Sequence, residues 1–412
     1  MMMMKAAVLF AFGFQFAEAW TPNRLGHQRL TRTTPSRKLS PSAPVVSRGR
    51  SALFGAATAA APPNLKPYLE KLVAGESLSK EEAKFCCGAI LEGADQMQVS
   101  ALLLLLRRNG ETPEEVAGFA AAMGDACVKV SVAGKMLDIV GTGGDGAHTI
   151  NISTAAAVLA AAAGAKTAKA GNRSVSSQCG SADVLEALGI NLELSAEQVG
   201  KCVDECGMGF MFAPVNHPAM KAVVPIRKAL GVRSVFNILG PMTNAAGAQR
   251  VVIGVFQEEL LEIMASSLMA IGNVEHGVVI HGVGLDEISP MGPSSILEIK
   301  NTAAPGEPKK YTKELYKFDP LDLGVPRCTV EDLKGGDAPT NAKLMREALK
   351  AGEFTDAKRD SIVLNAGVGL YVFGLADSIS GGVDLARETL EAGKGLEKLD
   401  EWIDLTKKLA AE

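Results

Sequence analysis

The sequence predicts an α/β protein with a small N-terminal all-helical domain and a larger α/β domain built on a mainly parallel central sheet. Residues 64–126 contain several short helical patterns, whereas from residue 136 onward apolar runs such as 251–255 and 277–281 alternate with helical patterns. This alternation is typical of parallel strands joined by crossover helices. The chain has 412 residues and is 47% hydrophobic, which is enough for a large core and more than one domain.

Two helix N-termini are predicted by capping sequences in the first part of the chain. Ser79-Lys-Glu-Glu82 and Thr112-Pro-Glu-Glu115 each place a hydroxyl residue three positions before a glutamate, which is the capping-box pattern. Pro113 occupies the first helical position, where its missing N–H costs nothing. We therefore expect a helical domain at 63–130 and an α/β domain at 131–412.

The N-terminus has the composition of a targeting sequence. Lys5 precedes an apolar stretch at 6–14 that is too short to span a bilayer, and Ala17-Glu-Ala19 offers a small-residue cleavage site. No acidic residue occurs from Trp20 to Tyr68, where Arg and Lys lie among Ser, Thr and Pro. We expect a signal-like segment at 1–19 and a transit peptide or disordered linker at 20–62. The combination resembles the bipartite address of complex algal plastids and predicts the plastid stroma; plain secretion or a basic tail is the alternative.

Charge and cysteine content exclude several classes of protein. Residues 1–55 hold eight Lys and Arg and one acidic residue, so without them the net charge changes from −4 to about −11. An acidic body argues against a nucleic-acid partner. The seven cysteines have no CxxC spacing and are odd in number, which does not suggest a disulfide framework. The apolar, small-sided run at 155–163 predicts a buried helix, so no membrane partner is expected.

The segment 137–154, LDIVGTGGDGAHTINIST, is the most informative part of the chain. Val140 ends an apolar run, and a glycine cluster follows before Asn151, Ser153 and Thr154 precede the alanine-rich helix. Glycines permit a sharp turn with exposed N–H groups, and a helix N-terminus is an anion site. The segment therefore predicts a phosphate-binding loop.

A dinucleotide-binding loop is the alternative interpretation, since Gly141, Gly143 and Gly146 fit its spacing. That loop needs an acidic residue about 20 positions on to hold a ribose hydroxyl. After Asp145 the next acid is Asp183, and the interval carries basic residues instead. This chemistry disfavours a dinucleotide site. A purely structural glycine turn is a further alternative.

A second polar cluster lies at 169–183. It combines the cations Lys169 and Arg173 with neutral polar groups at Asn172, Ser174, Ser176, Ser177 and Ser181. Such a density of donors suits a ligand with several phosphate oxygens and sugar hydroxyls. A solvated loop is the alternative. The glycine loop shortly before it in the sequence disfavours that alternative.

These segments together resemble one family, the anthranilate phosphoribosyltransferases, within the nucleoside phosphorylase and phosphoribosyltransferase-like proteins. The resemblance rests on GTGGD, NIST, the run from Lys169 to Asp183, NHPAMK at 216–221, RKALGVRSVFNILGP at 227–241 and LDE at 285–287. It implies transfer of a 5-phosphoribosyl group from phosphoribosyl pyrophosphate to the amine of anthranilate in tryptophan biosynthesis. It also implies a Mg²⁺ cofactor, a homodimer and a segment around 225–245 that packs with the helical domain.

The resemblance also implies roles for individual residues. It places Gly141, Gly144, Asp145 and Thr149 beside the pyrophosphate and ribose, and Asn151, Ser153, Thr154 and Lys169 on phosphate oxygens. It assigns Asn172 and Arg227 to anthranilate, with Arg227 on the carboxylate. Mg²⁺ is expected on Ser153, Asp286 and Glu287, because adjacent acids suit a hard cation that also contacts phosphates. No residue is identified as a general base, since an aromatic amine is already nucleophilic.

Two positions depart from the family pattern. Ala170 stands where the family commonly has histidine in Lys-His-Gly-Asn-Arg, and 282–284 lacks the acid often found before Gly-Leu-Asp-Glu. Neither change removes a phosphate or metal ligand, but both bear on the acceptor. Two alternatives stay open: a pyrimidine nucleoside phosphorylase, whose long glycine sequence is absent here, and a non-catalytic binding homologue.

Overall fold

The first four helices form a bundle that begins the described part of the chain. The computed structural model describes residues 63–174, 177–352 and 356–412. The predicted signal-like segment at 1–19 and transit peptide at 20–62 lie outside these residues. The bundle helices are α1 (Lys66–Val73), α2 (Lys80–Leu91), α3 (Gln96–Asn109) and α4 (Pro113–Ala126).

Both predicted capping boxes are present. The Ser79 hydroxyl accepts from the Glu82 amide and starts α2, and Thr112 and Glu115 pair in the same way at α4. Glu115 is buried, yet both of its carboxylate oxygens are satisfied by main-chain amides, those of Leu78 and Thr112. Glu115 therefore ties the start of α4 to the turn before α2.

The predicted mainly parallel central sheet of the larger domain is present and has seven strands. Its strands are β1 (Leu137–Gly141), β2 (Thr167–Gly171), β3 (Met208–Phe212), β4 (Arg250–Gly254), β5 (His276–Gly282), β6 (Ser294–Asn301) and β7 (Tyr311–Phe318). The spatial order is β3-β2-β1-β4-β5-β6-β7. Strands β1 to β5 are parallel to one another, and β6 is antiparallel to both of its neighbours, β5 and β7.

Helices cover both faces of the sheet. The remaining helices are α5 (Ile152–Ala162), α6 (Ser181–Leu188), α7 (Ala196–Cys206), α8 (Ala213–Asn216), α9 (Val224–Leu230), α10 (Phe236–Leu239), α11 (Leu260–Ile271), α12 (Val330–Leu333), α13 (Ala338–Ala348), α14 (Ala357–Phe373), α15 (Ile379–Glu391) and α16 (Lys394–Ala410). Strand β4 alternates between two cores: Val251 and Ile253 face the one shared with the bundle, and Val252 faces the one containing α5 and α14. A sheet covered on both faces explains the apolar strands.

The alanine-rich helix α5 is buried, as predicted. Its residues 155–160 have no exposed surface. Small side chains let α5 lie close to the sheet and to α14 at the same time. None of the helices in the described residues combines the length and apolarity needed to cross a bilayer.

The segment around 225–245 contacts the bundle. Phe236 of α10 packs edge-to-face on Phe119 of α4, with ring centroids 5.7 Å apart. Both side chains are buried in the core shared by the bundle and the sheet. This segment brings Arg233 to the glycine loop, where it contacts Gly144.

Candidate active site

The predicted phosphate-binding loop lies where the strand order reverses. From β1 the chain moves to β2 and β3 on one side, and then returns to β4 and β5 on the other. The carboxyl ends of β1 and β4 therefore border a crevice, which is where open α/β sheets place their ligands. The loop at 142–151 leaves β1 at this crevice and leads into α5.

The loop adopts the backbone conformation that its glycines predict. Gly143, Gly144 and Gly146 have φ values of 68°, 84° and 74°, in the left-handed region that favours glycine. His148 also has a positive φ of 55°, which is uncommon for a residue with a side chain. Further contacts must hold this part of the loop in place.

The predicted metal ligands come together at the start of α5. Asp286 Oδ2 accepts a hydrogen bond from the Gly143 amide at 2.6 Å, and Glu287 Oε1 accepts one from the Ser153 amide at 3.0 Å. The two carboxylates thus bind the glycine loop and the first turn of α5, respectively. A further acid of the site, Asp145, lies beside Asp286.

The acidic pair Asp286–Glu287 concentrates negative charge in a buried site. Burial raises the pKa of Asp286, and the nearby charge of Asp145 raises it further. Burial followed by the charge of Asp286 likewise raises the pKa of Glu287. A divalent cation bound by oxygen atoms would offset this charge, so the residues fit Mg²⁺. Among residues 63–174, 177–352 and 356–412, no three acidic, His or Cys side chains form a ready metal cage; Mg²⁺ usually completes its shell with water and substrate phosphates.

Lys169 lies beneath the acidic pair. It is 2% exposed and donates from Nζ to the main-chain oxygen of Ile139 at 2.6 Å. Burial lowers the pKa of Lys169, while the charges of Asp138, Glu287 and Asp286 oppose that shift. Its described hydrogen bond goes to Ile139, and its predicted contact with phosphate oxygens stays a prediction.

Asp138 is a functional candidate that the sequence reasoning missed. It is fully buried in β1 and accepts hydrogen bonds from the Ala170 amide at 3.1 Å and from Asn244 Nδ2 at 2.7 Å. Burial raises its pKa to about 6, against the opposing charge of Lys169. An aspartate inside the apolar run LDIV was the available signal, since buried charges are usually paired.

The second polar cluster forms a loop between β2 and α6. Arg173 forms a bidentate pair with Glu186, at 2.8 and 2.9 Å, and contacts Asp183 at 3.2 Å. Its guanidinium is thus engaged by α6. The Ser181 hydroxyl donates to the main-chain oxygen of Asn172, whose side chain is exposed.

Ser174 and Ser177 of this loop are hydrogen-bonded to each other. Ser174 donates to the main-chain oxygen of Ser177, and the two hydroxyls are 2.8 Å apart. Ser176 lies outside the described residues. The substrate contacts predicted for this loop therefore stay predictions.

The remaining predicted phosphate ligands line the entry to α5. Thr149 forms an antiparallel bridge with Lys334, and Thr154 is buried in the first turn of the helix. Asn151 donates from Nδ2 to the main-chain oxygen of Cys179 at 3.1 Å. Asn151 thereby joins the two polar loops.

Two arginines project from the segment that contacts the bundle. Arg227 is half-buried on α9, and burial lowers its pKa. Within the described part of the chain its guanidinium makes no hydrogen bond or ion pair. A partly desolvated cation without a counter-charge is suited to bind an anionic ligand.

Arg233 connects this segment to the glycine loop. It donates to the main-chain oxygen of Gly144 at 2.8 Å, and its guanidinium lies 3.7 Å from the centre of the Phe256 ring. The sequence reasoning did not assign Arg233. Its position between Arg227 and the FNILGP stretch was the only local signal.

Two family models cover most of the chain. The helical bundle domain of the glycosyl transferase family matches residues 66–127, and its a/b domain matches residues 133–396. The anthranilate phosphoribosyltransferase of Methanosarcina acetivorans is 44% identical over 350 residues, which is 84% of this chain and 91% of that protein. The Haloferax volcanii enzyme of the same name is 45% identical over 337 residues, 82% of this chain and 98% of that protein.

Solved structures give the same result. The anthranilate phosphoribosyltransferase of Thermus thermophilus is 42% identical with a TM-score of 0.75, covering 82% of this chain and 99% of that one. The Saccharomyces cerevisiae enzyme, in complex with PRPP and Mg, is 26% identical with a TM-score of 0.75, covering 84% and 98%. In both domains, then, the sequence and the fold agree: the chain belongs to the anthranilate phosphoribosyltransferase family, within the glycosyl transferase family whose two domains it contains.

Proposed function

We propose that this chain transfers the 5-phosphoribosyl group of phosphoribosyl pyrophosphate (PRPP) to the amine of anthranilate, releasing pyrophosphate, in tryptophan biosynthesis. The observation that carries the proposal is the junction of the glycine loop, the start of α5 and the buried pair Asp286–Glu287 at the strand-order reversal. This junction offers main-chain N–H groups for phosphate and carboxylates for a cation in one place.

The donor side of the reaction follows from these groups. The Gly143 and Ser153 amides are bonded to the acidic pair, and the remaining amides of the glycine loop and the α5 N-terminus hold the phosphate oxygens of PRPP and orient its anomeric carbon. Asp286, Glu287 and the Ser153 hydroxyl would hold Mg²⁺, which, when bound, neutralises charge on the departing pyrophosphate. Lys169 and Asp138, buried beneath, fix the charge balance of the carboxylates. The chain's contribution is preorganised charge stabilisation.

The acceptor side is supplied by the segment that contacts the bundle. Arg227 pairs with the anthranilate carboxylate and directs the amine toward the anomeric carbon. No base is required because the aromatic amine is already nucleophilic, and positioning supplies the acceleration. Arg233 keeps this segment in contact with the glycine loop, so the acceptor and donor sides stay in register.

The test is a fluorescence assay with the purified full chain. Anthranilate fluorescence should fall only when PRPP and Mg²⁺ are both present. In parallel, thymidine or uridine with inorganic phosphate tests the pyrimidine nucleoside phosphorylase alternative. Phosphorolysis without anthranilate consumption would replace the proposal by that alternative, and binding of PRPP without either reaction would favour a non-catalytic homologue.

We also propose that the chain forms a homodimer through its helical domain. Large apolar side chains are exposed on the bundle helices, including Val73 at 71%, Phe85 at 49% and Met97 at 80%. Apolar side chains that are exposed together on one surface are typical of association sites, and the Phe85 ring contacts the Tyr68 ring of α1 at 5.4 Å. Phe85→Glu and Met97→Glu should shift the sedimentation coefficient to that of a monomer. Leu315→Glu, an equally exposed site on β7, is the matched control and should leave the dimer intact.

The plastid is proposed as the location. The support is the composition of residues 1–62, with no acid between Trp20 and Tyr68 and eight basic residues up to position 55. A reporter fused to residues 1–62 should enter the plastid, and the native mature protein should begin near residue 55–65. Retention of Arg24–Arg50 on the native protein would contradict this proposal.

A further inference from the structure

A third segment, residues 329–341, contacts the exit of the glycine loop. The Ile150 amide donates to the Leu333 oxygen, and the Gly335 amide donates to the His148 oxygen, both at 3.0 Å. Thr149 and Lys334 form the antiparallel bridge between these two contacts. The exit of the glycine loop, including the positive φ of His148, is therefore held by main-chain bonds to this segment.

Asn341, on α13, extends the contact from main chain to side chain. It is 2% exposed. Its Oδ1 accepts from the Gly336 amide at 2.7 Å, and its Nδ2 donates to Asn151 Oδ1 at 3.0 Å. Asn151 Nδ2 then donates to the Cys179 oxygen at 3.1 Å. One chain of hydrogen bonds thus runs from segment 329–341, through the start of α5, into the second polar loop.

The donor-to-acceptor direction of these hydrogen bonds is fixed at both ends of the series. Gly336 offers only a donor, so Asn341 must turn Oδ1 toward it and Nδ2 toward Asn151. The Cys179 oxygen offers only an acceptor, so Asn151 must turn Nδ2 toward it. The approach at Gly335 is equally specific, because a Cβ there would lie 2.5 Å from Asn341 Oδ1. Each amide therefore has one orientation that satisfies all partners.

We propose that Asn341 is a positioning residue for the phosphoribosyl donor: it sets the side-chain orientation of Asn151 and thereby the relative placement of the α5 N-terminus and residues 177–181. The inference rests on the proposed function, since it assigns both elements to PRPP. Asn341 acts through Asn151 and the main chain of the glycine loop. The two arginines of the acceptor side, Arg227 and Arg233, share no described hydrogen bond with this chain of amides.

The test uses Asn341→Asp in the full chain. Aspartate keeps the shape but replaces the Nδ2 donor by an acceptor that faces Asn151 Oδ1, and flipping Asn151 only moves the conflict to the Cys179 oxygen. The KM for PRPP should rise roughly 10- to 100-fold, which is the usual effect of removing a group that orients a ligand-binding residue. The KM for anthranilate should change by less than about threefold.

Two further measurements separate positioning from general destabilisation. Asn301→Asp is the matched control, because Asn301 also makes hydrogen bonds through both ends of its amide, at the opposite edge of the sheet. It should lower the melting temperature without changing either KM. Hydrogen–deuterium exchange should rise at residues 142–158 in Asn341→Asp and stay unchanged there in Asn301→Asp.

An unchanged KM for PRPP together with unchanged exchange at 142–158 would overturn the positioning role. Equal increases in both KM values would also overturn it in favour of a structural role. If the wild-type chain shows no transfer at all, the proposed function fails, and the exchange experiment then decides on its own whether Asn341 holds the loop.

Discussion

A Cβ atom on Gly254 would lie 1.6 Å from the main-chain oxygen of Asp286, a distance no structure tolerates. Gly254 ends β4, and its partner in the sheet, Gly141, ends β1. A Cβ on Gly141 would lie 2.3 Å from Asp286 Oδ2. Two neighbouring strands thus end in glycine so that the turn carrying Asp286 and Glu287 can lie directly on the sheet.

Gly254→Ala should therefore displace the acidic pair. Forcing a methyl group against main chain in a packed core costs typically about 1–3 kcal/mol, and misplacing catalytic groups by about 1 Å can cost about 100-fold in rate. We expect a lower melting temperature and a loss of kcat/KM of that order. Gly124→Ala in α4, where no atom lies within 4 Å of the added Cβ, is the control and should leave activity intact. Normal activity of Gly254→Ala would show that the turn carrying Asp286 and Glu287 tolerates a side chain at position 254.

Arg227→Ala should weaken use of anthranilate selectively. A hydrogen bond to a charged group contributes about 1.5–3 kcal/mol, which corresponds to roughly a 10- to 150-fold rise in the KM for anthranilate. The KM for PRPP should scarcely move. Lys228→Ala, at the exposed neighbouring position of α9, is the control. Equal damage to both KM values would indicate a structural arginine instead.

Ala170→His should alter the acceptor site only modestly. Ala170 is part of β2 and is held by its amide on Asp138, so the strand itself does not depend on the side chain. One neutral hydrogen bond has a net value of only about 0.5–1.5 kcal/mol, so anthranilate should bind no more than about tenfold more tightly. Steady-state kinetics with anthranilate and ring-substituted analogues measures this. A gain of activity from an inactive wild-type protein would identify the chain as a non-catalytic homologue.

Glu298, far from the donor site, should make the free energy of unfolding sensitive to acid. Burial alone would raise its pKa, but hydrogen bonds from His276, Lys300 and Tyr371 outweigh that effect and hold the pKa at about 2. A carboxylate whose pKa is lowered in the folded state stabilises the fold above its unfolded pKa, near 4.5, and this contribution is lost as the pH falls toward 2.

The test compares the wild type with Glu298→Gln by urea unfolding from pH 7 down to pH 3.5. The wild type should be more stable at pH 7 by on the order of 3 kcal/mol, and the difference should shrink below about pH 4.5. A difference that is constant with pH would show that the charge of Glu298 has no part in it.

Local features of the site could be predicted from sequence because they depend on neighbours in the chain. The glycine loop, the start of α5 and both capping boxes are each written within about 20 consecutive residues. The parallel strands were predictable for the same reason, from short apolar runs between helical patterns. Family resemblance added Asp286 and Glu287, which as an isolated acidic pair give no local signal.

The contacts that assemble the site could not be predicted, since they join distant parts of the chain. Glu287 meets Ser153 across 134 residues, Arg233 meets Gly144 across 89, and Asn341 meets Asn151 across 190. Such pairs depend on strand order and register, which no local pattern determines. The burial of Lys169 near the carboxylates likewise depends on the strand order, and no local pattern shows it.

The most direct measurement counts pyrophosphate released and anthranilate consumed by the wild type and by the double variant Asp286→Asn, Glu287→Gln. These changes remove the charges while keeping the shapes of the buried side chains. Glu115→Gln, a buried carboxylate in the bundle, is the matched control. The wild type and the control should release one pyrophosphate for each anthranilate consumed, with a dependence on Mg²⁺, and the double variant should lose turnover while retaining its fold by circular dichroism. Undiminished Mg²⁺-dependent turnover in the double variant, or pyrophosphate release without anthranilate consumption in the wild type, would contradict the proposed reaction at this site.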